Sequence, residues 1–556
     1  MYDVIVVGGG SAGAAVAARL SEDPARRVLL EAGLDWRADE APWEVKTPNP
    51  IPIIHKREYQ EKWQWPDLLT RRVAGQEPRF YWRGKGLGGS SMMNGQIAIR
   101  GVADAFDEWA ANGCTGWSAK EVMPLFSVIE DDMEFGHTEG HGRGRGGPLP
   151  VYRAPPEKWG PIDRGLRDAA LASGYPWCAD VNGPDGEGVA CYPINSRDSR
   201  RITTNEGYLE PARGRANLEI RGHALVDRVL ISDGRATGVR VLIEGQGTSD
   251  IGARQIRAVL CAGAIHSPAI LLRSGIGPAE ELKAMGIAVA RDLPVGRHFF
   301  DHPLFRATIQ LRENLRPTDP DTRHTNCCVT YSSGLANGGK RDMILIAFNH
   351  RGIGVPGAIG AGLFNAYSRG TLKLASTDPS IDPVVEENML ADPRESCAMM
   401  DAVKRLAVIT SQPALSGIAD WIRLTDTDLT LPQAAALPDH ELDALLRRET
   451  GDIQHAAGSC RMSGVNDAHG VLNPDGTVKG IAGLRVADAS IMPSDCRANT
   501  HFTTVVIGEA IARMMMRVVV TIQVSCPAKA GIQYSEAPVG SHNVRRAVLD
   551  RPPSRA

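Results

Sequence analysis

Two histidines in the last quarter of the chain lie among small residues, where a substrate could approach them. His455 lies in QHAAGSCRMSG and His501 lies in RANTHFTT. The imidazole ring titrates near neutral pH, so histidine is a natural general base. A single histidine is more often structural than catalytic, however, and the chain has 14 of them. The surrounding motifs must decide what these two residues do.

The N-terminus contains the parts of a dinucleotide-binding unit in their usual order. The apolar run YDVIVV predicts a buried strand, Gly8-x-Gly10-x-x-Gly13 follows, and AAVAARLSED predicts a helix. A second apolar run, RRVLLEAG, contains Glu31 near its end. The glycines let a pyrophosphate approach the helix N-terminus, and Glu31 is placed to bind a ribose. This unit alone leaves NAD and FAD open.

Two further glycine clusters follow. The segment 84–101, GKGLGGSSMMNGQIAIRG, predicts backbone that passes close to a flat ligand. The segment 261–277, CAGAIHSPAILLRSGIG, follows the predicted strand IRAVLCAG. There we expect Ser267 to cap a helix, Pro268 to occupy its first position and Gly275 to end it.

These motifs resemble those of the glucose–methanol–choline (GMC) family of FAD-dependent oxidoreductases. The first cluster matches the family's first signature through Gly88-Gly89-Ser90-Ser91 and Asn94, and the second matches its second signature. The later segments VGRHFFDHP, YSRGTLKLASTDPSIDPVVEENML and VADASIMP are also similar to family segments. The resemblance extends from residue 2 to about residue 516.

The resemblance implies an α/β fold, α+β overall, in which a Rossmann-like FAD-binding domain is interleaved with a substrate domain built on an antiparallel sheet. Residues 1–301 would be mainly FAD-binding, and residues 302–450 would form most of the substrate-binding domain. Residues 451–516 would complete the FAD domain and carry the catalytic histidines. Residues 517–556 resemble nothing in the family, and their composition predicts a disordered tail.

The family implies oxidation of an alcohol CH–OH group to a carbonyl, with a histidine removing the proton and flavin N5 accepting the hydride. It implies that His455 is the main base. His501 is expected just before a helix that begins near Thr503 or Thr504, whose positive end keeps the imidazole neutral. Its expected role is secondary, holding the alkoxide. His302, in FDHP, is expected to be structural.

The motifs and the resemblance also predict the residues that contact FAD. No histidine occurs in the segment 84–101, so we expect FAD to be bound non-covalently, and no metal site is expected. The predicted cofactor-binding residues are Gly8, Gly10, Ser11, Ala12, Gly13, Glu31, Ala32, Gly88, Gly89, Asn94, Gly95, Val226, Ala262, Asp488, Ala489, Phe502 and Thr503.

Composition and local sequence argue against several other classes of protein. The net charge of −3 gives no reason to expect nucleic acid. The ten cysteines form no CxxC pair, which favours reduced thiols in the cytoplasm over a disulfide framework. The N-terminus has no basic region of the signal-peptide type. The apolar stretch 505–524 contains Glu509, Arg513 and Arg517, so we expect no membrane span.

Several functional questions stay open at this level. The expected substrate is a small-molecule alcohol, and an aromatic content of 5% favours a neutral one over a choline-like cation. The electron acceptor (O₂, a quinone or a carrier) and the oligomeric state are undetermined. ANTHFTT is most similar to a bacterial subgroup that includes pyridoxine 4-oxidase. The alternatives are a non-redox flavoprotein, such as the family's hydroxynitrile lyases and photodecarboxylase, and an inactive FAD-binding partner protein.

Overall fold

A seven-stranded mixed sheet is built around the first strand of the chain, Tyr2–Val7. The computed structural model describes residues 2–335, 338–424 and 427–524. The apolar run YDVIVV is almost wholly buried, as its composition predicts. In spatial order the strands are Leu218–Arg221, Arg27–Leu30, Tyr2–Val7, Gly247–Leu260, Arg235–Ile243 and Ala224–Ser232, with Leu484–Val486 also paired to Gly247–Leu260.

The long strand Gly247–Leu260 joins two parts of this sheet. Its C-terminal half pairs in parallel with Tyr2–Val7 and with Leu484–Val486. Its N-terminal half pairs antiparallel with Arg235–Ile243. The parallel part therefore brings segments from the beginning, middle and end of the chain together, which confirms the predicted interleaved Rossmann-like fold.

A second seven-stranded sheet is antiparallel throughout, as expected for the substrate side. Strand Gly188–Cys191 forms one of its edges, so the N-terminal region contributes to this sheet too. In spatial order the strands are Ala419–Leu424, Pro303–Leu311, Gly357–Leu363, Met343–Phe348, Cys327–Tyr331 and Gly188–Cys191, with Gly451–Asp452 also paired to Pro303–Leu311.

The remaining strands and the α-helices complete the described chain. The other strands are Leu69–Arg71, Arg79–Phe80, Glu130–Asp132, Leu149–Arg153, Pro193–Ile194, Ser196–Arg197, Arg200–Arg201, Ile276–Gly277, Arg291–Asp292, Thr371–Lys373 and Val384–Glu386. The α-helices are Ser11–Leu20, Trp43–Lys46, Ile51–His55, Arg57–Trp63, Ala103–Ala111, Ala119–Ile129, Pro161–Ala172, Glu210–Ala212, Gly263–Arg273, Ala279–Ala284, Pro393–Ser411, Pro413–Ser416, Leu431–Ala435, Asp439–Glu449 and Thr500–Val524.

The helix Gly263–Arg273 begins four residues before the predicted cap, so the prediction for Ser267 and Pro268 was wrong. The reason is tertiary. Asp488 accepts hydrogen bonds from Gly263 N at 2.9 Å and from Ser267 Oγ at 2.6 Å, so it caps the helix from a distant segment. Pro268 cannot donate to the carbonyl four residues earlier, and Ser459 Oγ donates to that carbonyl instead, at 2.6 Å.

The last described helix, Thr500–Val524, also begins earlier than predicted. His501 therefore lies in its first turn rather than ahead of it. The helix continues through residues 517–524, which the composition had placed in a disordered tail, and residues 525–556 lie outside the described residues. The chain up to Met514 forms a compact unit that contains both large sheets. Among the described helices, none is long and apolar enough to cross a membrane.

Candidate active site

A cavity of about 680 Å³ is lined by residues from both large sheets. Val7 and Leu30, at the ends of parallel strands of the mixed sheet, form part of its wall. Leu304 and Ile346, on strands of the antiparallel sheet, form another part. Ligands of α/β proteins bind outside the carboxyl ends of parallel strands, so the cavity lies where the fold places a cofactor.

Most of the predicted site residues lie in the wall of this cavity. Both predicted catalytic histidines are among them. The lining residues from the prediction are Gly8, Gly10, Ser11, Ala12, Glu31, Ala32, Gly89, Asn94, Gly95, Val226, Ala262, Asp488, Ala489, His455 and His501.

Four predicted cofactor-binding residues do not line the cavity. Gly13 lies where the first helix meets its strand: a Cβ there would be 1.9 Å from the carbonyl oxygen of Gly8. Gly88 has a φ of +96° and precedes a 3₁₀ turn. Phe502 is fully buried and packs on Phe126, and Thr503 is fully buried as well. These residues shape the backbone behind the cavity wall.

The glycine segments form a cradle that only residues without a side chain permit. Gly8 has a φ of +96°, and a Cβ on it would lie 2.6 Å from the carbonyl oxygen of Cys261. A Cβ on Gly89 would lie 2.7 Å from the Cα of Gly10. The cradle faces the cavity at the N-terminus of helix Ser11–Leu20, where backbone N–H groups favour an anion. These residues fit the pyrophosphate of a dinucleotide.

Glu31 connects this cradle to the first glycine cluster. Its Oε2 accepts a hydrogen bond from Gly9 N at 2.8 Å. Its Oε1 accepts from Gly33 N and Gly86 N, both at 3.0 Å. The carboxylate therefore orders three backbone segments. Contact with a ribose stays a prediction for Glu31, which lines the cavity.

His455 is joined to two buried side chains in a chain of hydrogen bonds. Its Nδ1 lies 2.8 Å from Nδ1 of His302, and Nε2 of His302 lies 2.5 Å from Oδ2 of Asp495. His302 is fully buried and Asp495 nearly so. His455 Nε2 is left facing Asn499, whose Nδ2 lies 3.2 Å away, and His455 and Asn499 both line the cavity.

His455 and His302, the two histidines of this hydrogen-bonded series, have pKa shifts of opposite sign. Burial, reinforced by the nearby charges of His302 and Arg83, holds the pKa of His455 well below its ordinary value. Burial also acts to lower the pKa of His302, but the carboxylate of Asp495, with smaller contributions from Asp301 and Glu395, makes the net shift upward. A proton shared by the two rings is therefore more stable on His302.

Asp301 fixes the backbone of both histidines. Its Oδ1 accepts hydrogen bonds from His302 N at 2.6 Å and from His455 N at 2.7 Å. Its Oδ2 accepts from Tyr81 at 2.5 Å. Burial and the nearby carboxylate of Asp452 raise the pKa of Asp301. One buried carboxyl group thus sets the separation of two residues that are distant in sequence.

His501 reaches the cavity from the first turn of helix Thr500–Val524. Its Nδ1 lies 2.9 Å from Ser11 Oγ, at the N-terminus of the first helix. Burial and the nearby charge of Arg201 lower the pKa of His501 to about 4, so the ring is neutral at pH 7. Asn499 Oδ1, two residues earlier, is buried and has no hydrogen-bond partner in the described part of the chain.

Sequence reasoning missed Asp495, Asn499 and Asp301, and it assigned His302 a purely structural role. The sequence contained only a weak signal for these residues. Asp301 and His302 lie in the segment VGRHFFDHP, which resembles the family, while Asp495 and Asn499 lie just upstream of His501. Nothing in the spacing of these residues shows that they meet around His455.

Comparison with known proteins identifies the family. Family models described as GMC oxidoreductase match residues 2–304 and 366–508, most of the chain. The chain belongs to the GMC oxidoreductase family. It is therefore a GMC-type FAD-dependent enzyme that acts on CH–OH donors.

Curated GMC oxidoreductases are similar to this one along nearly their whole length. It is 34% identical to 5-(hydroxymethyl)furfural oxidase of Methylovorus sp. over 533 residues, which cover 92% of this chain and 98% of that protein. It is also 34% identical to an oxygen-dependent choline dehydrogenase of Burkholderia thailandensis over 554 residues, with coverages of 92% and 93%.

A solved structure agrees with this GMC fold. Pyridoxine 4-oxidase from Mesorbium loti matches with a TM-score of 0.82 and 28% identity, covering 93% of this chain and 99% of that one.

Proposed function

We propose that this enzyme oxidises the CH–OH group of a small alcohol to a carbonyl, with Nε2 of His455 as the base for the hydroxyl proton. The observation that carries the proposal is the hydrogen-bonded chain Asp495–His302–His455, which ends at Nε2 in the cavity wall. The same cavity contains the dinucleotide cradle, so base and cofactor would meet at one substrate.

The hydrogen-bond chain selects the tautomer that a base requires. When His302 is neutral, its Nε2–H donates to Asp495 and its Nδ1 accepts. His455 must then donate through Nδ1–H, which leaves a lone pair on Nε2. Asn499 Nδ2 donates to that lone pair across 3.2 Å, a long contact that a substrate hydroxyl can replace.

The opposite pKa shifts of the two rings compensate for the weak basicity of a buried His455. After Nε2 takes the hydroxyl proton, the Nδ1 proton of His455 can pass 2.8 Å to His302. His302 then forms an ion pair with Asp495, which favours its charged form. The positive charge is stored beside a carboxylate, away from the reacting carbon.

The remaining residues would hold the cofactor and the substrate oxygen. When bound, FAD supplies the acceptor for the hydride that leaves the carbinol carbon. The glycine cradle, Glu31 and the Asp488–Ala489 turn would hold it, without a covalent bond. His501 and Asn499 would orient the oxygen as its proton leaves, since both line the cavity. The alcohol would lose its hydroxyl proton to His455, and the bound cofactor would supply the acceptor for the hydride.

The names of the relatives support alcohol oxidation. Two are called oxidases, of 5-(hydroxymethyl)furfural and of pyridoxine, and one is called a choline dehydrogenase. The names differ in substrate, so they support the reaction type rather than one alcohol.

Replacing His455 by alanine tests the assignment. We expect His455→Ala to slow anaerobic reduction of the flavin by about 10²–10⁴-fold, the usual contribution of a general base. The variant should retain its FAD, which the flavin absorbance of the purified protein would show.

His298 provides a matched control, because it is partly buried but does not line the cavity. His298→Ala should keep near-normal reduction rates. Near-normal rates in His455→Ala would refute the assignment of the base. The proposed alcohol oxidation would be refuted if no alcohol bleached the flavin while the protein cleaved cyanohydrins, or released CO₂ from a carboxylic acid under light.

A further inference from the structure

A cluster of basic side chains lines the cavity on the side of the antiparallel sheet. It consists of His55, Arg306 and Arg351, which we call the basic cluster. Arg306 lies on strand Pro303–Leu311 and is exposed, although it lines a cavity. A solvent-accessible guanidinium inside a concave site can bind an anion.

No carboxylate of the described chain neutralises the basic cluster. Arg306 makes no hydrogen bond or ion pair with any residue that the structure describes. Arg351 donates only to neutral oxygens, Pro356 O at 3.2 Å and Thr308 Oγ1 at 3.4 Å. Asp452 lines the cavity and acts to raise the pKa of Arg306, but its Oδ2 already accepts a hydrogen bond from Arg72.

The members of the basic cluster act on one another electrostatically. Desolvation by the surrounding cavity wall lowers the pKa of Arg306, and the charge of Arg351 lowers it further. The pKa of His55 is lowered by burial and then by both arginines, which favours its neutral form. The repulsion between the two arginines is relieved when an anion lies between them.

Arg306 lies four residues along an extended segment from His302, the hydrogen-bond partner of the proposed base. Side chains alternate along a strand, so His302, Leu304 and Arg306 share a face, and Leu304 and Arg306 line the cavity. Four residues of extended chain span about 13 Å. This span fits an aromatic ring or a short chain that has a hydroxymethyl group at one end and an anionic group at the other. The arginine side chain is long enough to cover the remaining distance.

From these contacts we infer that the natural substrate is an alcohol with an anionic group, a carboxylate or a phosphate, at the end remote from the reacting CH–OH, bound by Arg306 and Arg351. This inference rests on the proposed function, whose site it deepens. It replaces the neutral alcohol favoured by the low aromatic content, because the basic cluster is not visible in the composition. A cation such as choline would be repelled here.

Matched alcohols test the inference through turnover. We expect kcat/KM for 4-(hydroxymethyl)benzoate to exceed that for 4-methylbenzyl alcohol by about tenfold or more, the size of a charge-assisted hydrogen bond. Arg306→Gln should remove this advantage by raising KM for the carboxylate and leave the neutral alcohol within about twofold. Arg312→Gln is the matched control, since Arg312 is exposed just beyond the same strand and does not line the cavity.

Binding of unreactive ligands separates this inference from the proposed function. We expect 4-methylbenzoate or 4-methylphenyl phosphate to perturb the spectrum of the bound flavin at lower concentration than neutral 4-methylbenzamide. The tighter of the two anions identifies the group, and Arg306→Gln should weaken its binding by about tenfold. Equal binding of the anions and the amide would overturn the inference. Tight anion binding without flavin reduction by any alcohol would instead overturn the proposed function.

Discussion

At the scale of single residues, the site joins the proposed base, His455, to a second histidine, His302. His455 and His302 are separated by 153 residues in sequence, and their Nδ1 atoms are 2.8 Å apart. Asp495 favours a proton on His302, while burial disfavours one on His455. We therefore expect the protonation of His455 to be controlled by His302 and Asp495, neither of which lines the cavity.

The role of Asp495 predicts a change in pH dependence. Flavin reduction requires neutral His302, so the rate should fall as the pH falls through the raised pKa of His302. Asp495→Asn removes the carboxylate that raises this pKa most, so the pKa should fall to the value set by burial and the remaining carboxylates, Asp301 and Glu395. We expect the acid limb of kcat/KM to move to lower pH, with a lower plateau because the proton is stored less favourably. Stopped-flow reduction across pH measures both effects.

A surface carboxylate provides the comparison. Asp467 forms an ion pair with Arg461 away from the cavity, so Asp467→Asn should leave the profile unchanged. An acid limb at the same pH in Asp495→Asn and the unsubstituted enzyme would show that His302 does not set the tautomer of His455.

His501 should contribute less than His455. Its lowered pKa, about 4, keeps it neutral, so it can exchange hydrogen bonds with the substrate oxygen without taking the proton. We expect His501→Asn to slow flavin reduction at saturating substrate by about tenfold, the order of one lost hydrogen bond. Rapid-mixing kinetics with the alcohol in excess measure this rate, and an unchanged rate would remove His501 from the reaction.

At the scale of elements, distant side chains decide where helices begin and how they pack. Asp488 caps helix Gly263–Arg273, and Ser459 serves the carbonyl that Pro268 leaves without a donor. Glu509 joins two helices in a similar way: its Oε1 accepts from Arg19 Nε at 2.8 Å and from the Tyr208 hydroxyl at 2.9 Å. Helix Thr500–Val524 is thereby fixed to the helix of the dinucleotide cradle.

Glu509→Gln should therefore destabilise the protein. Glu509 is fully buried and Arg19 is partly exposed, so we expect a loss of roughly 1–3 kcal/mol, below that of a fully buried pair. Glu22 pairs with the same arginine on the surface, and Glu22→Gln should cost less than about 1 kcal/mol. Midpoints of urea unfolding of the two variants compare these losses, and equal midpoints would contradict the structural role of Glu509.

At the scale of the whole molecule, one cavity receives residues from the beginning, the middle and the end of the chain. The loop after the first strand of the mixed sheet contributes to the dinucleotide cradle, the antiparallel sheet contributes Arg306 to the basic cluster, and the C-terminal segment provides both proposed catalytic histidines. The two large sheets belong to one compact unit, so the proposed cofactor and substrate sites both lie within it.

Whether FAD is attached covalently depends on all the segments that form the cavity wall. The segment 84–101 contains no histidine, so we expect FAD to be held by non-covalent contacts alone. Precipitation of the protein with hot acid should release the yellow colour into the supernatant. Colour retained in the pellet would show a covalent bond to another part of the cavity wall.

The sequence by itself determined the features that depend on neighbours along the chain. The strand, glycine turn, helix and Glu31 of the dinucleotide unit lie within some thirty residues, and glycine spacing constrains the local backbone directly. The resemblance of short motifs also indicated the family, the two-sheet architecture and the two histidines that line the cavity. These predictions rest on short segments whose local structure depends little on the rest of the fold.

Only the tertiary structure decided how remote residues combine. The start of helix Gly263–Arg273 was misplaced because Asp488, from a distant segment, satisfies the backbone there, and propensity cannot account for such a partner. The relay behind His455 and the unneutralised charge of Arg306 depend on which side chains meet across the cavity. Burial then sets the pKa of each histidine, and burial is a property of the folded molecule.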